Sequence, residues 1–234
     1  MLDLNRSRSV AELLETAFKL YGRYPLEFIV LAACVVVPYE VLVQVFTGAT
    51  PFGSGHVSTD TLLLLDLITF ALIGPLVSAL QVQALFAVAD GDHPRPDTVF
   101  ERALRVLPTV VAAAIVSGIG IAVGSVLLLI PGIYLQLRWA VVAQVAAAER
   151  GDWISALRRS GELARFNYLR IAGVLILVAL ITFMISAIGA SIVGDSNSIA
   201  AIAVEIAVVV LLHSFASLVL ALLYFDLYAR EGAV

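Results

Sequence analysis

Apolar positions along the chain gather into six long runs with no alternation and no polar face. They predict helices over about 25–47, 61–89, 108–130, 132–149, 168–190 and 198–225. Each run approaches or exceeds the roughly 20 residues that a helix needs to cross a bilayer. Strands of a membrane barrel would alternate over about ten residues, and these runs do not. Turn-forming stretches separate them: GATPFGSGHVSTD after the first, IPG between the third and fourth, GDSNS between the fifth and sixth.

A second periodicity precedes each pair of runs. Over residues 9–22, Val10, Leu13, Leu14, Ala17, Phe18 and Tyr21 recur at helical spacing, and Ser9 with Glu12 forms a capping-box pattern. Over 98–107, Thr98 and Glu101 repeat that pattern ahead of Val99, Phe100, Ala103, Leu104 and Leu107. Over 152–166, Asp152 reads as an N-cap ahead of Trp153, Ile154, Leu157 and Ala164. Short amphipathic helices with arginines beside the apolar stripe suit a membrane interface. The expected fold is therefore an all-α integral membrane protein, one polytopic domain over residues 1–234. Its six transmembrane helices form three hairpins, each preceded by an interfacial helix.

Charge adds orientation. Arg6, Arg8, Lys19 and Arg23 precede the first run; Arg95, Arg102 and Arg105 lie between the second and third. Arg150, Arg158, Arg159, Arg165 and Arg170 surround the link from fourth to fifth, and Arg230 is in the tail. The alternate loops carry none. Loops rich in Lys and Arg stay cytoplasmic, so both termini are expected inside. The net charge of −4 and the dispersal of the arginines give no basic face for nucleic acid. The one cysteine, Cys34, can close no intrachain disulfide and reads as a small packing residue. No cleavable leader pattern precedes the first run.

Four charges fall deep inside the apolar runs, away from their ends. Glu40, Asp66, Arg138 and Glu205 each lie six or seven residues from the outer end of their run, roughly 10 Å deep. A charge at mid-membrane costs about 2.5–3.5 kcal/mol unless paired. Arg138 is accordingly expected to face the interior and bond to Glu205, Asp66 or Glu40. Two readings stand: an ion pair that fixes helix packing, or a solvated cavity that admits a substrate, headgroup or proton. His213, mid-helix beside Ser214 and Ser217, belongs to this candidate cluster. Arg158, Arg159 and Arg165 are candidates for anionic lipid headgroups. His56 and His93 are loop residues, no group has metal-ligand spacing, and no cofactor motif is present. GIGIAVG (118–124) lies mid-span, where Gly120 and Gly124 suit close helix packing. Pro75 should kink the second helix.

Three stretches carry a resemblance: RSRSVAELLETAFKLYGRYP (6–25), IPGIYLQLRWAVVAQVAAAERGDWISALRRSGELAR (130–165) and LLYFDLYAREG (222–232). The chain resembles the bacterial multi-pass proteins known as the membrane domain of glycerophosphoryl diester phosphodiesterase, and related membrane families of unknown function. The resemblance implies a six-helix bundle in the bacterial cytoplasmic (inner) membrane. In the full-length enzymes catalysis belongs to a separate soluble barrel, for which this chain has no room. The expectation is a non-catalytic protein that binds or organises lipids, anionic ones included, or another amphiphile. The alternative is a scaffold or accessory subunit for a separately encoded enzyme or transporter. Membrane lipids, a membrane protein partner or a second copy of the chain are the partners these readings admit.

Overall fold

The computed structural model describes residues 4, 6–48, 50, 57–91, 93–149, 151–193 and 198–232. His56, Arg150 and the centres of the GATPFGSGHVSTD and GDSNS stretches lie outside the described residues. The described residues form ten α-helices in order: α1 (Val10–Arg23), α2 (Pro25–Thr47), α3 (Thr59–Ile68), α4 (Gly74–Ala89), α5 (Pro96–Leu127), α6 (Leu129–Arg138), α7 (Val142–Ala148), α8 (Trp153–Ala164), α9 (Tyr168–Val193) and α10 (Ile199–Glu231). A π-helical turn, Thr69–Ile73, joins α3 to α4. Among the described residues, six helical stretches are long and apolar enough to span a membrane: Pro25–Thr47, Thr59–Ala89, Pro96–Leu127, Leu129–Ala148, Tyr168–Ile192 and Ile199–Glu231.

The first amphipathic helix forms as its cap signals require. The Ser9 hydroxyl accepts from the Glu12 N–H at 3.1 Å, and the Ser9 N–H donates to Glu12 Oε2 at 2.7 Å. This satisfies two otherwise unpaired donors, and Leu13, Ala17 and Leu20 turn into the core against α2, α9 and α10. The Ser9 backbone and side-chain bonds hold the Glu12 carboxyl below the usual glutamate range. A depressed folded-state pKa contributes stability above the unfolded value, and that contribution is lost as pH falls through the folded one. Acidification is therefore expected to speed amide exchange at Val10–Leu14 before the rest of the bundle. Glu12→Gln should abolish that pH dependence; an unchanged profile would exclude the cap as its origin.

The second amphipathic segment differs from expectation. It is not a separate helix over 98–107 but the first part of α5, which runs through Pro108 without a break. Its 32 residues extend about 48 Å, well beyond a hydrocarbon core. Pro96 starts it, and the expected Thr98–Glu101 box is not made. The Thr98 hydroxyl donates to the Arg95 carbonyl, and Glu101 pairs with Arg105 one turn on. The third segment, α8, has its Asp152 cap, with Oδ1 accepting from the Ser155 N–H at 2.9 Å. Its buried face, however, is Ala156, Ser160, Gly161, Leu163 and Ala164, while Trp153 and Ile154 are exposed. Small residues let α8 approach α5 and α7 closely, which the apolar stripe alone does not reveal.

Within the bundle α10 is central. It packs on α2, α4 and α9, and 56% of its apolar membrane stretch is buried, against 17% for that of α9. Glutamines tie the spans together, as polar groups do between membrane helices. Gln81, fully buried, donates to the Ser214 hydroxyl at 3.1 Å and the Phe28 carbonyl at 3.3 Å, linking α2, α4 and α10. Gln83 donates to the Ala147 carbonyl at 2.9 Å, linking α4 to α7. The π turn precedes Pro75, so the expected distortion of the second span takes this form. α5 and α6 meet through glycine: a Cβ on Gly124 would lie 3.3 Å from the Gly132 nitrogen. Gly120 receives the ring of Trp139 and Gly118 that of Phe70.

Two charged knots close one end of the bundle. Asp226, with 0% exposure, accepts from the Arg8 N–H at 2.5 Å, Arg170 Nε at 2.8 Å and Arg230 Nε at 3.1 Å. The Arg8 carbonyl in turn accepts from Arg170 Nη2 and Arg230 Nη2. The second knot centres on Arg159, which pairs with Glu149 at 3.3 Å and Glu231 at 2.5 Å and lies over the Tyr228 ring.

Candidate functional site

The fourth span is not one straight helix. α6 ends at Arg138, and the chain turns through Trp139–Val141 before α7 begins. Helical bonds resume only after the Val142 N–H reaches the Trp139 carbonyl. This turn brings Arg138 onto α8. The Ser160 hydroxyl donates to the Arg138 carbonyl at 3.1 Å, and a Cβ on Gly161 would lie 2.8 Å from Arg138 Nε. Glycine at 161 thus leaves room for the guanidinium.

Arg138 Nη1 donates to the Tyr134 hydroxyl one turn earlier, at 3.2 Å. The Tyr134 ring lies 5.6 Å from that of Tyr168, at the start of α9. Arg158, Glu162 and Arg165 complete the rim of an open pocket of about 340 Å³. Three guanidinium groups and two phenol hydroxyls therefore converge on one opening. Arg158 Nε bonds to Glu162 at 3.0 Å, but with its side chain 82% exposed the pair is solvated and weak. Beside the pocket, Phe166 has φ 70°, a left-handed conformation uncommon for a bulky residue. This turn leaves the Phe166 ring exposed beneath the Arg165 guanidinium, 5.1 Å from it. Leu169 is exposed next to it.

The expected site is thus divided. Arg138 does not pair with Glu205, Asp66 or Glu40, because the turn after α6 carries it to α8 and α9. Glu40 and Glu205 act on each other electrostatically, and Tyr39 lies within the influence of both Glu40 and Asp66. The Tyr39 hydroxyl donates to the Leu65 carbonyl and accepts from Thr69 in the π turn, each at 2.9 Å. His213 lies apart from these acids in contact terms, with Nδ1 bonded to the Val209 carbonyl at 3.1 Å. Of the three headgroup candidates, Arg158 and Arg165 line the pocket and Arg159 does not. Arg159 is drawn into the second knot, where its bond to Glu231 raises its already high pKa.

Sequence reasoning missed Tyr134, Tyr168 and Gly161. The i, i+4 spacing of Tyr134 and Arg138 is a readable signal for their bond. Nothing in the chain order signals Tyr168 or Gly161, which reach Arg138 only through packing. No family model matches the chain, and no curated protein or solved structure matches it.

Proposed function

We propose that this protein is a non-catalytic lipid-binding protein of the bacterial cytoplasmic membrane, with both termini inside, and that it recognises anionic phospholipid headgroups at the junction of α6, α8 and α9. The observation that carries this reading is the convergence of Arg138, Arg158 and Arg165 with the Tyr134 and Tyr168 hydroxyls around one open pocket. Guanidinium forks match phosphate geometry, and tyrosines suit the level of the headgroups. The exposed Phe166 and Leu169 offer the adjoining surface to acyl chains. The grouping of positive charges before the first, third and fifth spans supports the orientation.

The accessory-subunit reading draws less support. Gly120 and Gly124, the small residues that could dock a partner helix, are occupied within the chain by Trp139 and Gly132. A titration with short-chain phosphatidylglycerol and phosphatidylcholine tests the headgroup site. Arg138→Ala is expected to weaken the anionic lipid about tenfold, the scale of one charged hydrogen-bonding contact, and to leave phosphatidylcholine unaffected. Equal weakening of both, or of neither, would refute recognition of the phosphate charge at Arg138.

A further inference from the structure

A second opening lies inside the bundle, away from the arginine pocket. It measures about 390 Å³ and is bounded by the π turn, α4, α5, the α6–α7 turn, α9 and α10. Its walls are mainly apolar, with Phe70, Pro75, Ile121, Trp139 and Leu175 contributing. Its polar groups include Ser78, Ser117, Gln144, His213 and Ser217, with Thr69 and Gln136 towards the rim. Pockets of this size with apolar walls and a few polar groups are typical of small-ligand sites.

Gln144 is the decisive residue. Its side chain is 2% exposed, and Nε2 donates to the Ser78 hydroxyl at 3.3 Å. The other end of the amide, Oε1, is buried without a hydrogen-bond partner among the protein groups. Reversing the amide would move the unpaired position to the nitrogen without removing it. A buried polar atom left unpaired costs about 1–3 kcal/mol, so a turn of the amide that brings it to a ligand group in the cavity gains that much recognition. His213 adds a second polar edge. Its Nδ1 faces the Val209 carbonyl, which can only accept, so Nδ1 carries the hydrogen and Nε2 of the neutral ring is an acceptor.

A hydroxyl fits this set, because it can donate to Gln144 or His213 and also accept. A carboxylate or phosphate does not, because none of the lining side chains carries a positive charge when His213 is neutral. The π turn forms one wall, and such turns occur often at functional sites. Phe70 and Gln136, both exposed, lie where the opening reaches the outside of the bundle. We propose that this cavity binds the hydroxyl head of a neutral lipid, such as a long-chain alcohol, with Gln144 as the residue that recognises the hydroxyl.

Trp139 lines the cavity and is one of only two tryptophans, so it can report occupancy. With Trp153→Phe removing the other emission, the protein in bilayers is titrated with a brominated long-chain alcohol, its methyl ether and the matching carboxylate. The alcohol is expected to quench Trp139 saturably, with about fivefold higher affinity than the ether, the scale of one net hydrogen bond. Gln144→Leu should abolish that preference, and a thermal unfolding transition like the parent's shows that the variant is folded. If Gln144→Leu does not fold, Ile121→Trp serves as a cavity-filling variant in a Trp139→Phe background, read by displacement of tritiated alcohol. Equal quenching by alcohol and ether would overturn the proposal. So would preference for the carboxylate, or unsaturable quenching by all three, which would mean that water alone fills the cavity. Binding of phosphatidylglycerol at the arginine pocket is unaffected by any of these outcomes.

Discussion

Asp226→Ala is expected to destabilise the protein by about 3–5 kcal/mol, the range for removing one partner from a buried charged network. Asp226 has no exposed surface and is the one carboxylate that receives Arg170, Arg230 and the Arg8 N–H together. Its removal leaves two guanidinium groups and a peptide N–H without their acceptor. Those same guanidiniums also hold the Arg8 carbonyl, so the segment ahead of α1 loses its anchor at both backbone groups. Unfolding titrated with dodecyl sulfate measures the loss. Limited proteolysis should show that cleavage near Arg6 and Arg8 appears first. Because the three arginine contacts form one unit, Arg170→Ala combined with Asp226→Ala should cost clearly less than the sum of the single changes. Additive losses would show that the knot does not act as a unit.

Gly132→Val should produce the second large effect. A Cβ at Gly132 would lie 2.7 Å from Ser125 Cα and 2.8 Å from Ser125 Cβ, and backbone atoms cannot swing aside as a side-chain end can. The close approach of α5 and α6 must then open, at a cost of about 1–3 kcal/mol for overpacking alone. Opening this contact also moves α6, the helix that ends at Arg138. Binding of anionic lipid is therefore expected to weaken together with stability. Gly173→Ala is the matching control. A Cβ there meets nothing within 4 Å in the second turn of α9, so the change should be neutral or stabilising by about 0.5–1 kcal/mol. Equal stability of Gly132→Val and the parent would contradict the packing described for α5 and α6.

These effects separate what chain order reveals from what packing decides. All six long apolar runs were legible because a span needs only length and a high share of apolar residues, and the run over 25–47 coincides with α2. The cap at Ser9 and Glu12 was equally legible, since both partners lie within one turn. The fusion of the second amphipathic segment into α5 was not. Pro108 marked a boundary by its usual preference, but the helix on either side carries through it. Arg138 was misplaced for a related reason. Equal residue counts from the outer ends put four charges at one depth only if every span is straight, and the turn at Trp139–Val141 breaks that premise. The partners that Arg138 does find on α8, Ser160 and Gly161, lie 22 and 23 positions further along the chain and share no periodicity with it. Asp226 was hidden by a different feature. It sits in a tail rich in charges, where only the fold distinguishes a buried acceptor from a solvated one.

The headgroup site is tested most directly by native mass spectrometry of the protein released gently from its own membrane, beside Arg138→Ala of equal thermal stability. A defined anionic phospholipid should remain bound to the parent and be absent from the variant. An identical lipid complement on both proteins would contradict a headgroup site at Arg138.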